Sequence, residues 1–415
     1  MVKLLLTLFI FLSFITKSIG GIDHSNPILS RLTYSDIFGV LAIMIGFSQL
    51  LKGIKTCNRF LSLYTASFIL VFFMFLPILF SLNIISTLLE NSIIIFLVFI
   101  SILIFQNYKY KLTGSLFPLI INTTIAASFI GFYDIFAVNI GLPRLFDSRS
   151  SGEVISGFRN AGQAGAFFLV FLTILIPLHY SNLKNALSKT YQILLKVALV
   201  SSIIFLFSTG KIAAYIGFVF GLFLFLITKR DFKSLFYTSI FVVLISTGFN
   251  HLESVTPDFH NRINRKIESR IIQNYNGESE NKFIQNNFNG ALQAFYDNPI
   301  SGSGMGAFYG NYGRYEVHST YFKILGEGGL IVTLPYIIFV LVFLKIFPKI
   351  KTTNNPYLIY LKFMFPFILG CMISWGYTYH LRKREFWILI SVIAIVKFNA
   401  LIWSKYNDNK RINIQ

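Results

Sequence analysis

The sequence predicts an all-α integral membrane protein, with about twelve transmembrane helices and one long extracytoplasmic loop carrying amphipathic helices. Three observations lead there. Hydrophobic residues make up 54% of the 415 and charged residues only 13%, with a mean hydropathy of +0.65, well below the charge content of soluble domains. The apolar residues gather in runs approaching the roughly 20 that cross a bilayer as a helix. The basic residues behind the net charge of +19 fall mostly in short loops between alternate runs, the positive-inside pattern of membrane proteins. That pattern sets aside nucleic acid as the partner. The 47 Phe and 21 Tyr suit lipid-facing and interfacial positions.

The first run, 4–18, follows Lys3 and ends in Ser18-Ile19-Gly20-Gly21; it reads either as a retained first span or as a signal peptide. Further spans are expected at 36–51, 60–82, 84–105, 112–138, 161–179, 193–207, 212–228 and 235–248. After a long connection come 320–344, 357–377 and 387–403. The chain divides accordingly into 1–250 with spans one to nine, an extracytoplasmic loop over 251–317, spans ten to twelve over 318–404, and a tail over 405–415.

Charge then orients the spans. Lys52, Lys55 and Arg59, then Lys109 and Lys111, Lys184 and Lys189, Lys229, Arg230 and Lys233, and Lys345, Lys349 and Lys351 all fall on the side of the tail with Lys405, Lys410 and Arg411. Both termini are therefore expected in the cytoplasm of a bacterial inner membrane. Outside lie the loop 139–158, the connection 250–317, and the turn His380-Leu381-Arg382-Lys383-Arg384. Three basic residues in an outside turn break the rule, and an anionic lipid head group would explain them. A connection as long as 250–317 tends to be functional. Within it, Arg262, Arg265, Lys266 and Arg270 flank a stripe of Ile263, Ile267 and Ile271, the pattern of an interfacial helix. A second such helix is expected with Ile284, Phe288, Ala291, Leu292 and Phe295 on one face.

The chemistry concentrates in 295–330. Asp297-Asn298-Pro299 leads into Gly302-x-Gly304-x-Gly306, whose glycines permit positive φ and close backbone approach. His318-Ser319 follows, then Glu327-Gly328-Gly329-Leu330 inside an apolar run. This order resembles the O-antigen ligase/polymerase family of bacterial membrane glycosyltransferases. The resemblance covers roughly 158–344. It implies an enzyme that passes a glycan from a polyprenyl diphosphate carrier to an acceptor at the outer membrane face, with inversion at the anomeric carbon and with neither metal nor cofactor. The partners it implies are the bilayer and the polyprenyl-diphosphate-linked oligosaccharide, with room for a chain-length regulator.

Such chemistry needs a base for the acceptor hydroxyl and cations for the diphosphate. His318 matches the family's catalytic histidine. Lys211, in Ser208-Thr209-Gly210-Lys211, stands where the family usually has Ser-Arg; it keeps the charge without the bidentate fork, and a lysine snorkelling from a helix end is the plainer alternative. Arg159, in Gly157-Phe158-Arg159-Asn160-Ala161-Gly162, resembles the family's Phe-x-Asn lead into a span, without its Asn-Pro-Asn. The family's second basic position falls on Ile284, so Lys282, Arg262 or Arg270 would stand in for it. Arg314, Arg382 and Arg384 complete the candidate substrate-binding cations. Gly302, Gly304, Gly306 and Glu327 are expected to position the loop, and Lys323 to pair with Glu327 four residues on. Asp23, Asp36, Glu90 and Asp134 are further acids in or near spans, one of which could serve as a base, but no Asp-x-Asp pair that would point to a metal is present. Cys57 and Cys371 are too separated in kind for a disulfide, and the six histidines too scattered for a metal cluster.

The expected activity is polymerase, adding glycan to a lipid-linked repeat unit. Transfer to lipid A-core or another acceptor by a ligase is the alternative within the family. A flippase for lipid-linked oligosaccharide is the alternative outside it, disfavoured by the lack of repeats between the halves.

Overall fold

The structure is a computed structural model and describes residues 1–16, 32–60, 62–139, 141–143, 145, 157–230, 288–313, 316–348 and 354–412. Among them the architecture is all-α. The helices are α1 (Val2–Phe11), α2 (Tyr34–Ile45), α3 (Phe47–Phe60), α4 (Ser62–Phe75), α5 (Ile84–Tyr108), α6 (Phe117–Asn139), α7 (Ala161–Tyr180), α8 (Lys189–Ser208), α9 (Ile212–Lys229), α10 (Gly290–Asp297), α11 (Thr320–Lys345), α12 (Pro356–Trp375) and α13 (Arg384–Ile412). Nine of the described helical segments are long and apolar enough to span a bilayer, and α2 with α3 would add a tenth. The chain is a multi-pass membrane protein. Of the expected spans, 235–248 lies outside the described residues.

Starts of these helices are fixed by short polar side chains that accept from the first free N–H groups. Asn83 caps α5, Asn160 caps α7, Ser319 caps α11 and Asn355 caps α12. The spans differ in how they meet their surroundings. Helix α7 is apolar all round and nearly every residue from Ala164 to Leu178 is buried, as a central helix should be. It packs against α8, α12 and α13. The residues Leu6, Phe9, Ile10 and Phe14 of the first run are buried in the same core.

Two expected elements differ from their sequence outline. The 36–51 run bends by 82° at Gly46, where α2 ends, and its basic continuation Lys52 and Lys55 belongs to α3. The amphipathic pattern of α3 would be poorly solvated inside a bilayer, which accounts for the turn. The second amphipathic helix of the long connection is α10, and it docks on protein: Ala291 and Ala294 are buried, and Ala291 lies so close to Gly326 of α11 that a Cβ there would come within 2.6 Å of the Ala291 carbonyl.

One end of the bundle collects the termini that matter. Asp36 at the head of α2 binds Arg384, Glu90 in α5 binds Arg382, Thr16 binds the Arg159 amide, and Thr320 binds His380. Lys3 with Ser115 and Lys109 with Asn399 mark the opposite end. Helices α9 and α12 meet through glycines: a Cβ at Gly217 would lie 2.5 Å from the Gly370 carbonyl oxygen. With Gly221 four residues on, this is the small-residue contact that lets membrane helices approach closely.

Candidate functional site

The glycine stretch serves a break in a span. Gly329 of α11 has φ 56° and ψ −161°, a conformation open almost only to glycine. A break strands the carbonyls before it and the amides after it. The 299–304 loop supplies their partners. Ser303 N–H donates to the Gly326 carbonyl at 3.1 Å and Gly304 N–H to that of Glu327 at 2.9 Å, while Leu330 and Ile331 N–H donate to Pro299 and Ile300 at 2.9 and 3.0 Å. Gly302 (φ 64°) and Gly304 (φ 97°) allow this: a Cβ on Gly302 would sit 2.5 Å from the Glu327 backbone. The Gly306 N–H donates to the Glu327 carboxylate. Gly302 thus approaches the backbone of α11, while a Cβ on Gly304 would meet the Ser81 and Thr87 side chains.

From Glu327 a ladder of charges runs toward the end of the bundle. Lys323 pairs with Glu327 at 3.1 Å, the pair expected from their spacing, and approaches Glu90 at 3.9 Å. Glu90 takes Arg382 at 2.9 Å, and the other amino group of Arg382 takes Glu316 at 2.9 Å. Glu90, Lys323 and Glu327 are buried, so each needs these partners to be tolerable in a low dielectric. Lys323 also lies over the Tyr379 ring, 4.7 Å from its centre.

His318 stands beside the upper end of this ladder, just before the Ser319 cap of α11. Its side chain is open at the surface, yet enough protein crowds it that desolvation is the first cause holding its pKa below the ordinary imidazole value. Lys211, Lys323 and Arg382 push in the same direction and Glu316 opposes them. The imidazole is therefore neutral at neutral pH and able to accept a proton. The segment that bears it is pinned on both sides. Val317 is buried with Ala291, Ala294 and Phe308. Thr320 Oγ1 donates to the Thr378 carbonyl at 2.7 Å and contacts His380 Nδ1 at 2.8 Å. His380 is itself stacked on Trp375 with ring centres 3.8 Å apart, and burial drives its pKa well down.

Lys211 precedes α9 and lays its stem over Gly162 and Gly165 of α7. A Cβ at Gly162 would be 3.5 Å from Lys211 Nζ, so the ammonium lies at the first turn of α7 beside Asn160. A helix N-terminus is already positive, and a lysine placed there concentrates positive potential. Arg159 is half-buried; its amide donates to Thr16 Oγ1 at 2.8 Å, and Phe158 before it is packed among Phe14, Phe167 and Phe168.

His318, Lys211 and Arg382 are thus brought together electrostatically. Arg384 is engaged elsewhere, donating through Nε at 2.9 Å and through a second nitrogen to Asp36, which also accepts from the Thr33 amide at 2.9 Å. Arg262, Arg270, Lys282 and Arg314 lie outside the described residues. Sequence reasoning passed over Glu316 and saw Glu90 only as one acid among several; the latter's position inside an apolar run was the available signal.

Residues 197–337 match the family model described as O-antigen ligase. The matched segment runs from α8 past the break in α11 and includes Lys211, the glycine loop, His318 and Glu327. No curated protein matches the chain. The O-antigen ligase match bears out the resemblance read from the sequence over that segment. It supports glycosyl transfer of the ligase or polymerase type by a membrane protein.

Proposed function

We propose that the protein transfers glycan from a polyprenyl diphosphate carrier at the outer face of the inner membrane, with His318 as base and Lys211 as the principal diphosphate cation. The observation that carries this reading is the meeting of Lys211 with the positive end of α7, close enough to a neutral His318 to depress its pKa. The step would run as follows. His318 takes the acceptor hydroxyl proton, the acceptor oxygen forms a bond to the anomeric carbon from the face opposite the diphosphate, and the carbon–oxygen bond to the diphosphate breaks. The leaving diphosphate keeps the electron pair and its charge is met by Lys211 and by the amides opening α7, with Arg159 beside them. Reaction at the open side of His318 is consistent with a large glycan acceptor.

Both termini would then be cytoplasmic, which places the ladder and its turn outside. The acceptor we favour is a second lipid-linked repeat unit, making the enzyme a polymerase, because lysine replaces the usual arginine at position 211. The ligase description of the matched family favours a terminal acceptor such as lipid A-core instead. Purified protein supplied with polyprenyl-diphosphate-linked repeat units alone separates the two. Longer lipid-linked glycans support the polymerase; no elongation, but transfer once lipid A-core is added, establishes the ligase.

A further inference from the structure

We propose that Glu90, inside α5, is a positioning residue for the histidine site: through Arg382 it fixes the segment Glu316–His318, and through Lys323 it fixes the glycine loop in the break of α11. The proposal rests on the assignment of His318 as the base.

A carboxylate at 0% exposure within a membrane span is costly and is retained where it has a role. Glu90 meets two cations from two different elements, Arg382 of the 380–384 turn at 2.9 Å and Lys323 of α11 at 3.9 Å. The guanidinium is a rigid plane, so holding Glu90 on one amino group and Glu316 on the other sets the distance between those carboxylates. Glu316 is two residues from His318, with buried Val317 between them. On the other branch, Lys323 holds Glu327, whose carboxylate takes the Gly306 amide of the glycine loop. Glu90 is the group that both branches share.

Among the described residues, the charges facing His318 include Lys211 at the head of α9, Lys323 in α11, Arg382 in the turn and Glu316 on its own segment. Glu316 alone among these favours the imidazolium. If Glu90 holds Glu316 in place by way of Arg382, neutralising either acid should shift His318 in the same direction, and the two changes should not add.

The test uses full-length Glu90→Gln, Glu316→Gln and the double variant. His318 is titrated by its rate of carbethoxylation with diethyl pyrocarbonate, located by mass spectrometry, and glycan transfer is measured in parallel. The expected result is a lowered His318 midpoint in each single variant, with the double variant lowered no further than Glu316→Gln. Glu90→Gln should also lose about ten- to hundredfold in kcat with KM for the lipid-linked donor changed less than about threefold, and Glu90→Asp should recover part of the loss. Should Glu90→Gln fail to fold, Arg382→Lys at the half-buried turn replaces it, because an ammonium cannot span both carboxylates; it should reproduce the same midpoint shift. A wild-type midpoint and kcat in Glu90→Gln, additive shifts, or a raised KM at unchanged kcat would each overturn the proposal. A wild type that transfers no glycan would sink the enzymatic reading, while the His318 midpoints would still decide the clamp.

Discussion

At the residue scale two side chains, His318 and Lys211, are set by their surroundings. His318 is kept neutral by desolvation and by Lys211, Lys323 and Arg382. A base must be unprotonated, so transfer is lost as pH falls through the folded pKa, which lies below the ordinary 6.5. The expected profile keeps more than half its plateau rate at pH 6.5, and an acid midpoint at or above 6.5 in a kcat/KM titration would contradict the assignment. Lys211 is held over the first turn of α7 by Gly162 and Gly165. Lys211→Ala should lower kcat by about 10² to 10³, whereas Lys211→Arg, which restores the family's usual residue type, should stay within about tenfold of wild type; equal losses in both would mean that the lysine packs rather than binds. The sequence showed these two residues because a local motif surrounds each. It could not show the Glu90–Arg382 pair, whose members are 292 positions apart, or Asp36–Arg384, 348 apart. Such pairs exist only once helices are packed, and three arginines or lysines in an outside turn look the same whether they face lipid phosphate or buried acids.

At the scale of elements, α11 and the 299–306 loop form one unit. The loop repairs the hydrogen bonds that Gly329 breaks, and its own conformation depends on glycines at positive φ. Gly302→Ala combines an unfavourable φ with a Cβ 2.5 Å from the Glu327 backbone, and should cost about 3 kcal/mol, read as a fall in Tm of the detergent-solubilised protein; an unchanged Tm would show that the loop does not dock as described. The glycine run was legible as a place of close approach, but its target was not. Gly328-Gly329 sits in an apolar run that reads as continuous helix, because a single residue's break leaves hydropathy intact. For the same reason the run 36–51 passed as one span although the chain bends at Gly46. The broken α11 also bears on the flippase alternative, since transporters use broken spans to line a path; here the break is filled by the protein's own loop.

At the scale of the whole molecule, alternation of apolar runs with basic loops was enough to read the class of protein and most of its helices, because a bilayer demands both. The same alternation predicts orientation. Cysteine introduced at the exposed Tyr309 of a cysteine-free variant should react with a membrane-impermeant maleimide in intact spheroplasts, and cysteine at Lys405 only after lysis; the reverse would invert the topology and place His318 in the cytoplasm. Everything assigned to the site depends on that end of the bundle performing glycan transfer. The most direct test incubates wild type, His318→Ala and Lys211→Ala with polyprenyl-diphosphate-linked repeat units and lipid A-core acceptor and measures glycan joined per unit time. The account predicts transfer by the wild type and a loss of at least about a hundredfold in both variants, each still folded by circular dichroism. Undiminished transfer in either variant, or movement of labelled lipid-linked glycan across vesicles without transfer, would contradict it.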